Sequence, residues 1–189
     1  RLKRGIRKLS DCSLLWVHPW TRQRKEDLPL FIASQEGHEA IVIMLLAAGA
    51  VADKPSQKGY TALFVASQEG HLAIARALVD SGAAVNRANT DDGSTPLYIA
   101  SAKGHIRVVK LLLAAGAAVN QAQDKGYTAL FVAAHSGQIS VVEHLVIHGH
   151  ADANQEIGGL TPMLVAKQNG HATVVHFFLT ASNESIQAT

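Results

Sequence analysis

The stretch that decides the reading is TPLYIASAKGHIRVVKLLLAAGAAVN, residues 95–120. Thr95 offers a hydroxyl to cap a helix, and Pro96 suits the first helical position because no amide hydrogen is needed there. Residues 97–103 continue the helix and Gly104 ends it. A second apolar stretch over 106–115, carrying Val108, Val109, Leu111, Leu112 and Leu113, is long enough for another helix. Gly116 then stands where a left-handed C-terminal cap is expected. The segment predicts helix, turn, helix, turn.

The pattern recurs on both sides. Leu97-Tyr98-Ile99-Ala100 has counterparts in Leu30-Phe31-Ile32-Ala33, Leu63-Phe64-Val65-Ala66, Leu130-Phe131-Val132-Ala133 and Leu164-Val165-Ala166. Successive alanines stand 33, 34, 33 and 33 residues apart. Each is followed four residues later by a glycine: Gly37, Gly70, Gly104, Gly137 and Gly170. His38, His71, His105 and His171 come next in four units, and Gln138 in the other. A fixed period of this kind marks stacked supersecondary units. One helix pair of this size cannot bury both apolar faces, so each unit needs a neighbour. Small Ala66, Ala100 and Ala133 allow close approach between layers, and the paired leucines of the second helices fill the space.

Three further series keep register: the turn glycines Gly59, Gly93, Gly126 and Gly159, the caps Thr61, Thr95, Thr128 and Thr161, and the pairs Gly49-Ala50, Gly82-Ala83 and Gly116-Ala117. Together these residues resemble the ankyrin repeat over residues 28–189. The resemblance implies an all-α solenoid of helix-turn-helix units joined by β-turn finger loops. Its units run over about 28–55, 56–89, 90–122, 123–155 and 156–189, behind a basic segment at 1–27 that is irregular or a partial cap. There are departures. Phe31, Phe64, Tyr98, Phe131 and Leu164 stand where the family usually has histidine, so apolar packing replaces part of its hydrogen bonding. One extra residue lies between Asn86 and Gly93, and Gly149-His150-Ala151-Asp152-Ala153-Asn154 is one residue longer than its counterparts. The first unit has Leu28 in place of the capping threonine, so its first helix is expected to be frayed or capped by Asp27.

The resemblance further implies a non-enzymatic scaffold or adaptor for protein–protein interaction. Such arrays bind a protein partner on the concave face made by the fingers and the exposed side of the first helices. Carried over by position, the candidates are Gln57, Lys58, Tyr60, Gln68 and Glu69, then Asp91, Asp92, Ser94 and Lys103. The fourth unit adds Asp124, Lys125, Tyr127, His135 and Ser136, and the fifth Ile157, Leu160, Gln168 and Asn169. Tyr60 and Tyr127 each precede a capping threonine and read either as partner anchors or as rings packing on adjacent fingers. The other functional reading is a regulatory or targeting module of a larger enzyme or membrane protein. A chain beginning at Arg1 without methionine is expected to be a fragment.

Composition narrows the classes. With 48% apolar and 5% aromatic residues, the chain suits tightly packed short helices better than a sandwich. Residues 1–27 hold eight basic and three acidic side chains, or +5, whereas the remainder holds nine and twelve, or −3. A mildly acidic body lacks the cationic surface that phosphate backbones require, so no nucleic acid is expected. The basic start reads as a nuclear-import signal, an acidic-membrane contact or, most simply, a solvated tail. Cys12 is the single cysteine, which points to a reducing compartment, cytoplasmic or nuclear. The run Leu14-Leu15-Trp16-Val17 is too short to span a bilayer. Trp16 and Trp20 read instead as cover for the open side of the first unit. At the other end Phe177 and Phe178 suggest a helix that wants cover, with Ser182, Asn183 and Glu184 as a polar finish.

His144 and His148 share one helical face with His150 just beyond, a spacing that can hold zinc, but no third ligand type stands in place and solvated histidines are the simpler reading. The periodic histidines lie one repeat apart and cannot converge on one substrate atom, so they are expected to satisfy loop carbonyls between the helices. Cys12 and His18 near the start read as inert rather than as nucleophile and base. The expectation is a monomer with no catalytic residues, no cofactor and no metal.

Overall fold

The computed structural model describes residues 29–187, with side chains through 181. Asp27, Cys12, His18, Trp16, Trp20 and the rest of the basic segment lie outside the described residues, as do the side chains of Ser182, Asn183 and Glu184. Among the described residues ten helices form five antiparallel pairs and no strand is present. The first helices are α1 (Pro29–Gln35), α3 (Ala62–Glu69), α5 (Pro96–Lys103), α7 (Ala129–His135) and α9 (Pro162–Gln168). Their partners are α2 (Glu39–Ala47), α4 (Leu72–Asp80), α6 (Ile106–Ala114), α8 (Ile139–Ile147) and α10 (Ala172–Gln187). First helices pack on first helices of the next unit and second on second, which makes two parallel layers.

Local chemistry sets each boundary. The hydroxyls of Thr61, Thr95, Thr128 and Thr161 accept from the amides three residues on at 3.2, 3.2, 3.3 and 3.3 Å, satisfying one orphan donor per helix. Without a threonine, α1 still forms, and its cap falls outside the described residues. Between the layers lie Ala33, Ala66, Ala100, Ala133 and Ala166, all at most 4% exposed. Leu63, Leu97, Leu130, Leu78, Leu112 and Leu145 complete one continuous core through every unit. Phe178 joins it at 5% exposure, so α10 covers part of its own apolar face by packing inward.

The periodic histidines act across units. Nε2 of His71, His105 and His171 lies 3.2, 2.9 and 2.9 Å from the carbonyl oxygens of Gln35, Gln68 and His135, which close the first helix of the preceding unit. A carbonyl only accepts, so Nε2 carries the proton. The expected carbonyl role holds, but the carbonyl belongs to the neighbour, because each ring lies under the preceding unit's turn glycine. A Cβ on Gly70 would fall 2.6 Å from the His105 ring, and Gly70 itself has φ +76°. That glycine is required twice over. Gln138 occupies the same place beneath Gly104.

A second ladder joins the loops after the second helices. Asp53 Oδ1 accepts from Ala84 at 2.7 Å, Asn86 Oδ1 from Ala118 at 2.7 Å and Asn120 Oδ1 from Asp152 at 3.0 Å. α8 ends at Ile147 after nine residues, as α2, α4 and α6 do. The longer loop of the fourth unit fits because the cap His148 turns at ψ −27°, where Ala48, Ser81 and Ala115 lie at 2, 8 and 6°, so that His150 takes the left-handed backbone at φ +53°. Gly49, Gly82 and Gly116 hold that conformation in the other units. His150→Gly is therefore expected to stabilise the fold by about 1 kcal/mol, the cost of a side chain in that region less the extra entropy of glycine. A urea titration checks it. An unchanged or lowered midpoint would show that the imidazole contributes more than the strain removes.

Candidate binding surface

The fingers are turns closed by their own backbones. In the second unit the amide of Ser56 donates to the carbonyl of Tyr60 at 2.8 Å, and that of Gly59 to Ser56 at 2.9 Å. The third finger closes through Asn89 to Ser94 at 3.0 Å, and the fourth through Gln123 to Tyr127 at 3.0 Å. The extra residue before Gly93 is absorbed by Asn89, whose Oδ1 accepts from the amides of Asp91 and Asp92, both at 2.9 Å. Its Nδ2 also donates to Asp92 at 2.8 Å. One buried asparagine thus builds a wider turn.

Neighbouring fingers are bonded to each other. The amide of Thr90 donates to the carbonyl of Lys58 at 2.9 Å, and that of Asp124 to Asp92 at 3.0 Å. The approach is close enough that a Cβ on Gly59 would fall 2.5 Å from the Thr90 amide. No such backbone bond joins the fourth finger to the fifth among the described residues. The fifth closes on itself through reciprocal bonds of 3.0 and 3.1 Å between Ile157 and Leu160. Backbone bonds tie fingers two to four into one ledge.

Side chains reinforce the ledge. The Tyr60 hydroxyl donates to the Asp91 carboxylate at 2.9 Å, and Lys58 pairs with the same oxygen at 3.2 Å. The Tyr60 ring lies 4.9 Å from Phe64, and Tyr127 stacks on Phe131 at 5.1 Å. Partial burial and the bond to Asp91 push the Tyr60 phenol above its ordinary pKa, and the hydrogen bonds from Tyr60 and Lys58 hold Asp91 below the usual carboxylate range. For Asp92, burial acts to raise the pKa, yet the hydrogen bonds from Asn89 and Ser94 outweigh it and the carboxyl stays acidic. Tyr98, raised mainly by burial, sits between the two tyrosine pairs and bonds Gln123. Both tyrosines are half-buried within the array as well as presented on it.

The remaining candidates divide by exposure. Gln57, Lys58, Glu69, Asp91, Asp92, Lys103, Asp124, Lys125, His135, Gln168 and Asn169 are exposed. Gln68, Ser136, Ile157 and Leu160 are half-buried, with Gln68 donating to Glu69 at 2.7 Å. Asn169 also ties back to the carbonyls of Val165 and His135, at 3.1 and 3.4 Å. Ser94 is only 2% exposed and offers a partner almost nothing. Leu164, at the family's histidine position, is absent from the candidates that position alone supplies; at 36% exposure it extends the apolar character of Leu160 on the fifth unit.

His144 and His148 face each other with ring centroids 4.6 Å apart. Burial, then the charges of His148 and Lys110, lower the His144 pKa, which is the behaviour of imidazoles that repel when protonated. Among the described residues no group of three metal-ligating side chains assembles, there or elsewhere, and no helix is long and apolar enough to cross a membrane.

No curated protein matches the chain. The family model for ankyrin repeats, three copies long, matches it at residues 9–89, 30–123, 84–157 and 115–189. With these overlapping matches and five helix pairs built to one plan, the chain belongs to the ankyrin repeat family.

Proposed function

We propose that this array is a non-enzymatic scaffold that holds a protein partner on its finger and first-helix face, in a reducing compartment such as the cytosol or nucleus. Ankyrin repeats are generally protein–protein interaction modules. The observation that carries the finer reading is the bonded ledge of fingers two to four, which presents Lys58, Asp91, Asp92, Asp124 and Lys125 on backbones already fixed before any partner arrives. Preorganised loops lose little entropy on binding. Tyr60, Tyr98 and Tyr127 supply half-buried rings of the kind that anchor interfaces.

A photo-crosslinking residue placed at Lys103 or Lys125 is expected to capture the partner in cells. The same residue at Asp80 or Lys110, exposed on second helices, is expected to capture much less. Equal or stronger capture from the second-helix positions would move the interface to the opposite face and sink the reading.

A further inference from the structure

The first described unit has the sequence of an interior repeat but not the burial of one. Ile74, Val108, Val141 and Val174 hold one position of the second helix at 1% exposure or less, whereas their counterpart Ile41 is half-buried. Leu78, Leu112 and Leu145 are sealed and Phe178 nearly so, yet Leu45 is half-buried. Ala62, Pro96, Ala129 and Pro162 are buried at the start of their first helices, while Pro29 is exposed. The fifth unit shows which neighbour matters. It has none following among the described residues, and still buries Val174 and Phe178. These positions are sealed by the preceding unit, and among the described residues no unit precedes the first.

The uncovered end is shaped and apolar. A cleft of about 310 Å³ opens there, lined by Pro29, Leu30, Phe31, Leu45, Val51 and Ala52 among others. Val51 in its lining is 67% exposed, and Ile43 and Met44 on the same unit are 49 and 59% exposed. The corresponding outward side of α4 carries Arg76 and that of α6 carries Lys110, both suited to water. A helix apolar on every side is one that is covered.

We propose that residues 9–28 of this chain form the covering layer, with the Leu14-Leu15-Trp16-Val17 run and Trp20 seated on this end. Three observations favour this occupant over a separate molecule. The segment joins directly to Pro29, which lines the cleft, so its effective concentration there is high. Its leucine pair stands about one period ahead of Leu45-Leu46. The first family match begins at residue 9, well before α1.

The chain carries its own probes, since Trp16 and Trp20 are its only tryptophans and Cys12 its only thiol. In the full chain, tryptophan emission is expected at shorter wavelength than in urea and shielded from acrylamide. Cys12 labelling should be slowed about tenfold relative to the unfolded chain, as for a layer open one time in ten. Val51→Lys, at a cleft position exposed enough to leave the helices intact, should abolish both effects without changing the far-ultraviolet circular dichroism. Leu179→Lys, 52% exposed at the far end, should change neither. Three results overturn the proposal: tryptophans as exposed in the native chain as in urea, shielding that survives Val51→Lys with the fold intact, or shielding lost equally with Leu179→Lys. Shielding that disappears on dilution, with a dimer seen by sedimentation, also overturns it and assigns the end to a second copy.

Discussion

Ala100→Leu is expected to cost about 3 kcal/mol, the upper part of the range for overpacking a tight core, and to split the unfolding transition. Ala100 has no exposed surface and lies in α5, between α3 with Ala66 and α7 with Ala133, both equally sealed. The added leucine atoms have nowhere to go except into the spacing between three first helices. In a globular domain the whole core would share that strain. A repeat array is held by nearest-neighbour interfaces, so the damage falls on the contacts of the third unit with the second and fourth. Those are the middle two of four couplings. Circular dichroism in urea should show a lowered midpoint and a shallower or two-step transition, as the halves lose their link. Ala114→Leu, on the exposed side of α6, should stay within about 0.5 kcal/mol of the parent. A single sharp transition for Ala100→Leu at the parent midpoint would mean that the alanine column does not set the layer spacing.

What could be read from the chain alone follows from what is local. Thr95, Pro96 and Gly104 mark the ends of α5 because caps depend on residues a few places apart, and each end falls where those residues put it. The stacking was legible because a fixed period leaves only a neighbour to bury the second face. Contacts that cross from unit to unit were harder. His105 could be assigned to a carbonyl, but not to that of Gln68, because nothing in one repeat states how far the next is offset. The longer loop at Gly149 was visible as a count, yet which residue would take the positive φ depended on the backbone turn at the cap His148. Tyr60 and Tyr127 show the limit for the binding face. Their placement before a threonine was plain, but the stacking on Phe64 and Phe131 needed the angle between finger and helix. Ser94 belonged to the finger by position and to the interior by burial, since Asn89 draws the wider turn inward.

Replacing Ser34, Ser67 and Ser101 together with alanine is expected to stabilise the array by about 2–3 kcal/mol. These serines follow the sealed alanines of α1, α3 and α5, have no exposed surface, and their hydroxyls find no hydrogen-bond partner. A buried hydroxyl without a partner carries a desolvation cost of about 1–3 kcal/mol. Alanine removes that cost and adds some helix propensity. The fourth unit shows that the smaller side chain packs there, because Ala134 fills the same place with no exposed surface. The three sites are each one repeat apart, so their effects should nearly add, each strengthening a different layer. The urea midpoint should rise with the slope preserved, and the reverse change, Ala134→Ser, should lower it by about 1 kcal/mol. If the triple variant is instead less stable, the hydroxyls are bonded in solution to helical carbonyls or trapped water, and the small cavities left behind outweigh the removal of the oxygens. Single variants separate the two cases. An unpartnered hydroxyl predicts a gain at every site, whereas a trapped water predicts a loss confined to the unit that holds it.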